Sequence, residues 1–173
     1  MPDCNHKKPK RRSNGINRMF NYFRLQRKDF ENAFPDLYDF VLDYCAEKEI
    51  PVSPDYCDHF IAGLSVGAKQ AANIVRKNPS VFSKIGLLSP AFMGRRQLPT
   101  ASVDSISGNC RPLYCVYVGL EDPFLKNGKR FIKKLDKAGV EYCYSERDEG
   151  HTWQAWRGFL VEYLLTVLAT DTQ

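Results

Sequence analysis

Short apolar runs and helical stripes alternate along most of this chain. Leu37, Phe40, Val41 and Tyr44 recur at helical spacing from about Phe34 onward, and Ile50-Pro51 closes that segment. Phe60-Ile61-Ala62 is a short apolar run ending at a glycine, and the alanine-rich stretch Ala68 to Arg76 reads as a helix stopped by Asn78-Pro79. Ile85 to Leu88 and Leu113 to Val118 are further apolar runs of strand length. Phe131, Ile132 and Leu135 mark a helix ending at Ala138-Gly139, and Val140 to Tyr144 gives a fourth strand. Trp156, Phe159, Leu160, Tyr163, Leu164, Val167 and Leu168 then form an i, i+3, i+4, i+7 stripe wide enough to pack on a sheet. Strands alternating with helices predict an α/β fold. It should hold a parallel sheet of about four strands, near residues 58–62, 84–88, 113–118 and 140–145, with helices on both faces. Residues 91 to 112 carry Pro, Gly and Ser and read as a long loop of the kind that serves function.

Charge divides the chain in two. Residues 1 to 28 hold nine Lys/Arg and a single acid, so this segment is strongly basic while the remainder is mildly acidic. It reads as a mostly disordered basic arm, with Met19 to Phe23 as a short patch able to dock, ahead of one domain at 29–173. The Lys/Arg run carries the charge that nucleic-acid binding needs, but no aromatic stacking platform or recognition helix accompanies it, so no nucleic-acid partner is expected. No stretch reaches the roughly 18 apolar residues of a membrane helix, and the basic N-terminus lacks the apolar segment of a secretory signal. The six cysteines (Cys4, Cys45, Cys57, Cys110, Cys115 and Cys143) form no CxxC pair and no metal-type spacing. They read as reduced thiols in a cytoplasmic protein that holds no metal.

Gly63-Leu64-Ser65-Val66-Gly67 is a G-x-S-x-G motif placed between a strand and a helix. In that setting the turn holds a serine in a strained conformation with its hydroxyl exposed, and the Val66 amide that opens the helix can donate to an oxyanion. A serine hydroxyl needs a base. His6 lies in the basic arm, His59 precedes the strand as a surface or packing residue, and His151 follows the last strand in Glu149-Gly150-His151-Thr152-Trp153. An acid should fix the imidazole tautomer. Gly119-Leu120-Glu121-Asp122 follows the third strand on the same sheet edge, where either Glu121 or Asp122 would serve. Asp148 and Glu149 stand too near His151 in sequence for that role. The order serine, acid, histidine is that of α/β-hydrolases.

Four segments carry a more specific likeness: Phe60 to Gly67, Asn78 to Pro90, Gly119 to Leu125, and Gly150 to Trp156. In these the chain resembles the putative-esterase family of α/β-hydrolases, which includes tributyrin and acetyl esterases, feruloyl esterases, enterochelin esterases and S-formylglutathione hydrolase. The resemblance covers roughly residues 34 to 168. It implies a cofactor-free serine esterase for short acyl or carbohydrate-linked esters, with Ser65 as nucleophile, Asp122 as acid and His151 as base. Gly67-Ala68 stands where family members usually have Gly-Gly. Complete members also carry about four further strands ahead of the nucleophile, with a His-Gly loop that supplies a second oxyanion donor. No His-Gly dipeptide occurs here, so the chain reads as the C-terminal half of the fold. Two further expectations follow: homo-oligomers through the exposed edge of the first strand, and, as the alternative function, an inactive α/β interaction module.

Overall fold

The computed structural model describes residues 15–78, 81–92 and 112–169, without the side chains of residues 15–29 and 56. Loop 91–112 therefore lies almost wholly outside the described residues, as do residues 1–14. The elements run α1 (Gly15–Glu47), a single 3-10 turn at Tyr56–Asp58, β1 (Phe60–Leu64), α2 (Val66–Lys77), β2 (Lys84–Leu88), β3 (Leu113–Gly119), α3 (Leu125–Ala138), β4 (Tyr142–Arg147) and α4 (Trp153–Leu168). The sheet has four strands in the order β1-β2-β3-β4, and all three pairings are parallel. The α/β class and the four strands are as the sequence predicts. β1 starts and ends two residues later than predicted, and β4 starts and ends two residues later as well. Apolar character alone cannot separate a strand from the turn that feeds it.

Period-2 alternation sorts the strand side chains onto two faces. Ile85, Leu87, Tyr114, Val116 and Val118 pack with Ala68, Ala71, Ala72 and Val75 of α2 and with Phe131, Ile132 and Leu135 of α3. On the other face Leu88, Cys115 and Tyr117 meet Ala155, Phe159, Tyr163 and Val167 of α4. Those α4 residues are four apart, so only one ridge of the predicted stripe is buried. Leu160, Leu164 and Leu168 are exposed, because the sheet covers a narrower arc of the helix than the stripe spans. Gly86 makes the α4 contact possible: a Cβ there would lie 2.9 Å from the Tyr163 ring. The Tyr163 hydroxyl donates toward the Ile61 and Lys84 carbonyls at 3.1 and 3.0 Å, which ties α4 to β1 and β2.

α1 differs most from the sequence reading. It begins at Gly15, inside the segment read as an arm, and runs through Pro35, whose missing N–H interrupts the ladder near the predicted start. Among the described side chains of α1, Phe34 and Tyr38 pack on the core. Leu37, Phe40, Val41 and Tyr44, which defined the predicted stripe, are exposed. The apolar periodicity marks a face that the described residues leave open. The cysteine reading also needs correction. Cys57 is disulfide-bonded, whereas Cys45, Cys115 and Cys143 are free. Pairing cannot be deduced from spacing alone, and a disulfide removes the cysteine argument for a cytoplasmic location.

Candidate active site

Because all strands run parallel, the residues that follow β1, β3 and β4 gather at one edge of the sheet. The turn after β1 is built by close approach of strand and helix. A Cβ on Gly63 would lie 2.4 Å from the backbone of Gly67, so no other residue fits there without moving α2. Gly67 has open space around it among the described residues, so of the two motif glycines the fold requires the first. Ser65 takes φ 53° and ψ −115°, a left-handed conformation costly for a residue with a side chain. Its N–H donates to the Leu88 carbonyl at 2.8 Å and its carbonyl accepts from Ala91 N–H at 3.0 Å, so the strained turn is pinned to the end of β2. Val66 opens α2, and amides of a first helical turn have no acceptor within the helix.

The acid and base loops are sewn together by their backbones. Leu120 N–H donates to Arg147 O at 2.8 Å and Glu121 N–H to Glu149 O at 3.3 Å. Gly119 permits this, because a Cβ there would lie 1.8 Å from the Glu149 carbonyl oxygen. Asp122 is turned inward, 5% exposed, while Glu121 stays at the surface. One Asp122 oxygen accepts from Phe124 N–H at 2.7 Å, and the other lies 2.9 Å from His151 Nδ1. His151 Nε2 lies 2.9 Å from Ser65 Oγ. A carboxylate can only accept, so Nδ1 carries the proton and Nε2 is left free to accept from the serine hydroxyl. Of Glu121 and Asp122, both sterically open in the sequence, Asp122 is the one within hydrogen-bond distance of His151.

Residues 41–167 match the Putative esterase family. The chain belongs to this family. Among solved structures, a ferulic acid esterase is similar over 79% of this chain and 60% of its own, at 22% identity and a TM-score of 0.64. S-formylglutathione hydrolase from Staphylococcus aureus matches over 84% of this chain and 64% of its own, at 19% identity and a TM-score of 0.62. The fluorophosphonate-binding serine hydrolase F of the same organism matches over 77% and 64%, at 20% identity and a TM-score of 0.60. At these identities the likeness shows a shared α/β-hydrolase fold. This esterase-family chain spans between 60% and 64% of the length of those three proteins.

His59 has a structural role: Tyr38 Oη donates to its Nδ1 at 2.7 Å and its Nε2 donates to the Ser53 carbonyl at 2.7 Å. His6 lies outside the described residues. Sequence reasoning missed the rings that grip His151. Phe124 sits against it at 5.2 Å between centroids and Trp156 at 4.9 Å and 88°. Trp153, two-thirds exposed at 66%, meets Trp156 edge to face. The Gly-His-x-Trp pattern and the next tryptophan were the available signal, but Trp156 was read as the start of the α4 stripe. Also missed was Ser89, which follows β2 with φ 48° and a buried hydroxyl without a hydrogen-bond partner among the described residues. No group of three or more His, Cys, Asp or Glu among the described residues is placed to hold a metal. No helix among them is long and apolar enough to cross a membrane.

Proposed function

We propose that this chain is a serine carboxylic-ester hydrolase in which Ser65, His151 and Asp122 form the catalytic triad. The observation that carries this reading is His151 lying 2.9 Å from both Ser65 Oγ and Asp122 Oδ2. Ser65 Oγ attacks the acyl carbon while His151 Nε2 takes its proton. Negative charge gathers on the former carbonyl oxygen, where the Val66 N–H donates to it. Asp122 fixes the tautomer and stabilises the imidazolium. His151 returns the proton to the leaving alcohol, and water then cleaves the acyl-enzyme by the same route. Each step is carried by side chains and a backbone amide, so the proposed reaction uses no cofactor. Esters of small molecules are the proposed substrates, with exposed Trp153, joined to His151 through Trp156, as apolar surface for them. The esterases among the similar solved structures, a ferulic acid esterase included, support this substrate class.

The test is labelling by a fluorophosphonate probe together with turnover of a short p-nitrophenyl ester. Labelling confined to Ser65, with hydrolysis abolished in Ser65→Ala, supports the proposal. Hydrolysis that survives Ser65→Ala sinks it. Absence of labelling would favour the second reading, an inactive interaction module. That reading draws on the outer side of β1, which has no strand beside it among the described residues, and on the exposed apolar faces of α1 and α4.

A further inference from the structure

Two thiols stand side by side on the α4 face of the sheet. Cys115 of β3 and Cys143 of β4 are register partners in a parallel pair, so their side chains leave the sheet on the same side. Both are free; Cys115 is buried and Cys143 is exposed. Cys115 belongs to the cluster of Tyr117, Phe159 and Tyr163, whereas Cys143 lies on the edge strand of the described sheet. Adjacent strands run about 4.7–4.9 Å apart, inside the roughly 4.4–6.8 Å between Cα atoms that a disulfide spans. From this placement we propose that Cys115 and Cys143 form a modification site, a thiol pair that closes to a cross-strand disulfide by exchange with a small soluble disulfide.

The order of steps follows from access. The Cys143 thiolate attacks one sulfur of glutathione disulfide, forming a mixed disulfide and releasing one glutathione thiolate. The Cys115 thiol loses its proton to solvent or base and attacks the Cys143 sulfur. The Cys115–Cys143 bond forms and the second glutathione leaves. Two protein thiols are thereby oxidised and one glutathione disulfide is reduced to two glutathiones. Burial, and after it the adjacent Cys143 sulfur, pushes the Cys115 thiol up to about 12, so Cys115 is unsuited to the first attack. Its attack is intramolecular, and a reacting sulfur held beside its target gains a high effective concentration. Once Cys143 is capped it carries no charge, which removes one of the causes that hold the Cys115 proton. The bond would join the strand that leads to Asp122 with the strand that leads to His151.

The experiment treats the intact chain with glutathione disulfide, alkylates the remaining thiols and maps them by peptide mass spectrometry. The expected product is a Cys115–Cys143 cross-linked peptide pair, lighter by two hydrogens and reopened by dithiothreitol. Cys115→Ala should instead accumulate glutathione on Cys143. A wild-type chain that retains glutathione on Cys143 while Cys115 stays alkylatable overturns the proposal, and so does one in which neither thiol reacts. The wild-type result decides the matter even if the variant does not fold, and no readout depends on ester hydrolysis.

Discussion

At the scale of single residues, the site depends on where each side chain's few alternatives are closed off. Asp122 is buried with both oxygens engaged, while Glu121 beside it is exposed. Asp122→Asn should therefore lower kcat by about 10⁴-fold, as loss of the orienting carboxylate does in serine hydrolases. Glu121→Gln should leave kcat within about threefold, as an exposed substitution away from the chemistry does. Steady-state kinetics on a p-nitrophenyl ester read both, and equal losses would displace the acid assignment. The two motif glycines make a second contrast. Gly63→Ala forces a Cβ to within 2.4 Å of backbone and should cost more than about 3 kcal/mol in denaturant unfolding, in the range of severe overpacking. Gly67→Ala meets open space within a helical turn and should be neutral or stabilise by about 0.5–1 kcal/mol. The proposed serine and base, and their order, could be read from the sequence because a nucleophile turn needs a particular glycine spacing. The choice between adjacent acids was legible only through the family resemblance, which implies Asp122, since in the fold it depends on the Gly119–Glu149 approach. That approach joins residues thirty apart.

At the scale of elements, hydrophobic pattern located the strands and helices but not always the faces they bury. Short strands between helices were legible because burial on both faces leaves an uninterrupted apolar run, as in Leu113 to Gly119. The α1 and α4 stripes misled because both helices carry more apolar surface than the described sheet covers. Both faces of the sheet pack tyrosines beside aliphatic groups, and this gives a pH dependence. Burial raises Tyr114 from its ordinary 10 to about 12, and burial likewise raises Tyr117, Tyr144 and Tyr163. A raised folded-state value means the folded chain holds the proton more tightly than the unfolded one. The stabilisation is complete below pH 10 and is lost as pH rises through the folded values. Thermal midpoints should thus fall steadily from pH 10 upward, with phenolate absorbance appearing together with unfolding. Phenolate formation by these four tyrosines that precedes loss of structure would contradict this assignment.

At the scale of the whole molecule, three open surfaces coexist among the described residues: the outer edge of β1, the Leu37–Phe40–Val41–Tyr44 face of α1, and the Leu160–Leu164–Leu168 face of α4. Contiguous apolar patches and unpaired strand edges draw chains together. This polypeptide, purified by itself, should elute as an oligomer on sizing chromatography. The same sample should hydrolyse esters weakly if Val66 N–H, the oxyanion donor its motif supplies, acts alone, because one such donor is worth about 10²–10³ in rate. A stable monomer with ordinary esterase turnover would defeat both expectations. The layout of the proposed triad has a mechanical consequence. Ser65 hangs from the first strand and His151 follows the last, so their hydrogen bond closes a ring around the full width of the sheet. Strands in a sheet twist by roughly 20–25° at each pairing, and three pairings separate the two residues. That bond works as a gauge of the accumulated twist. A small repacking between β2 and β3, far from any reacting atom, should register as slower catalysis before it registers as a lower melting point.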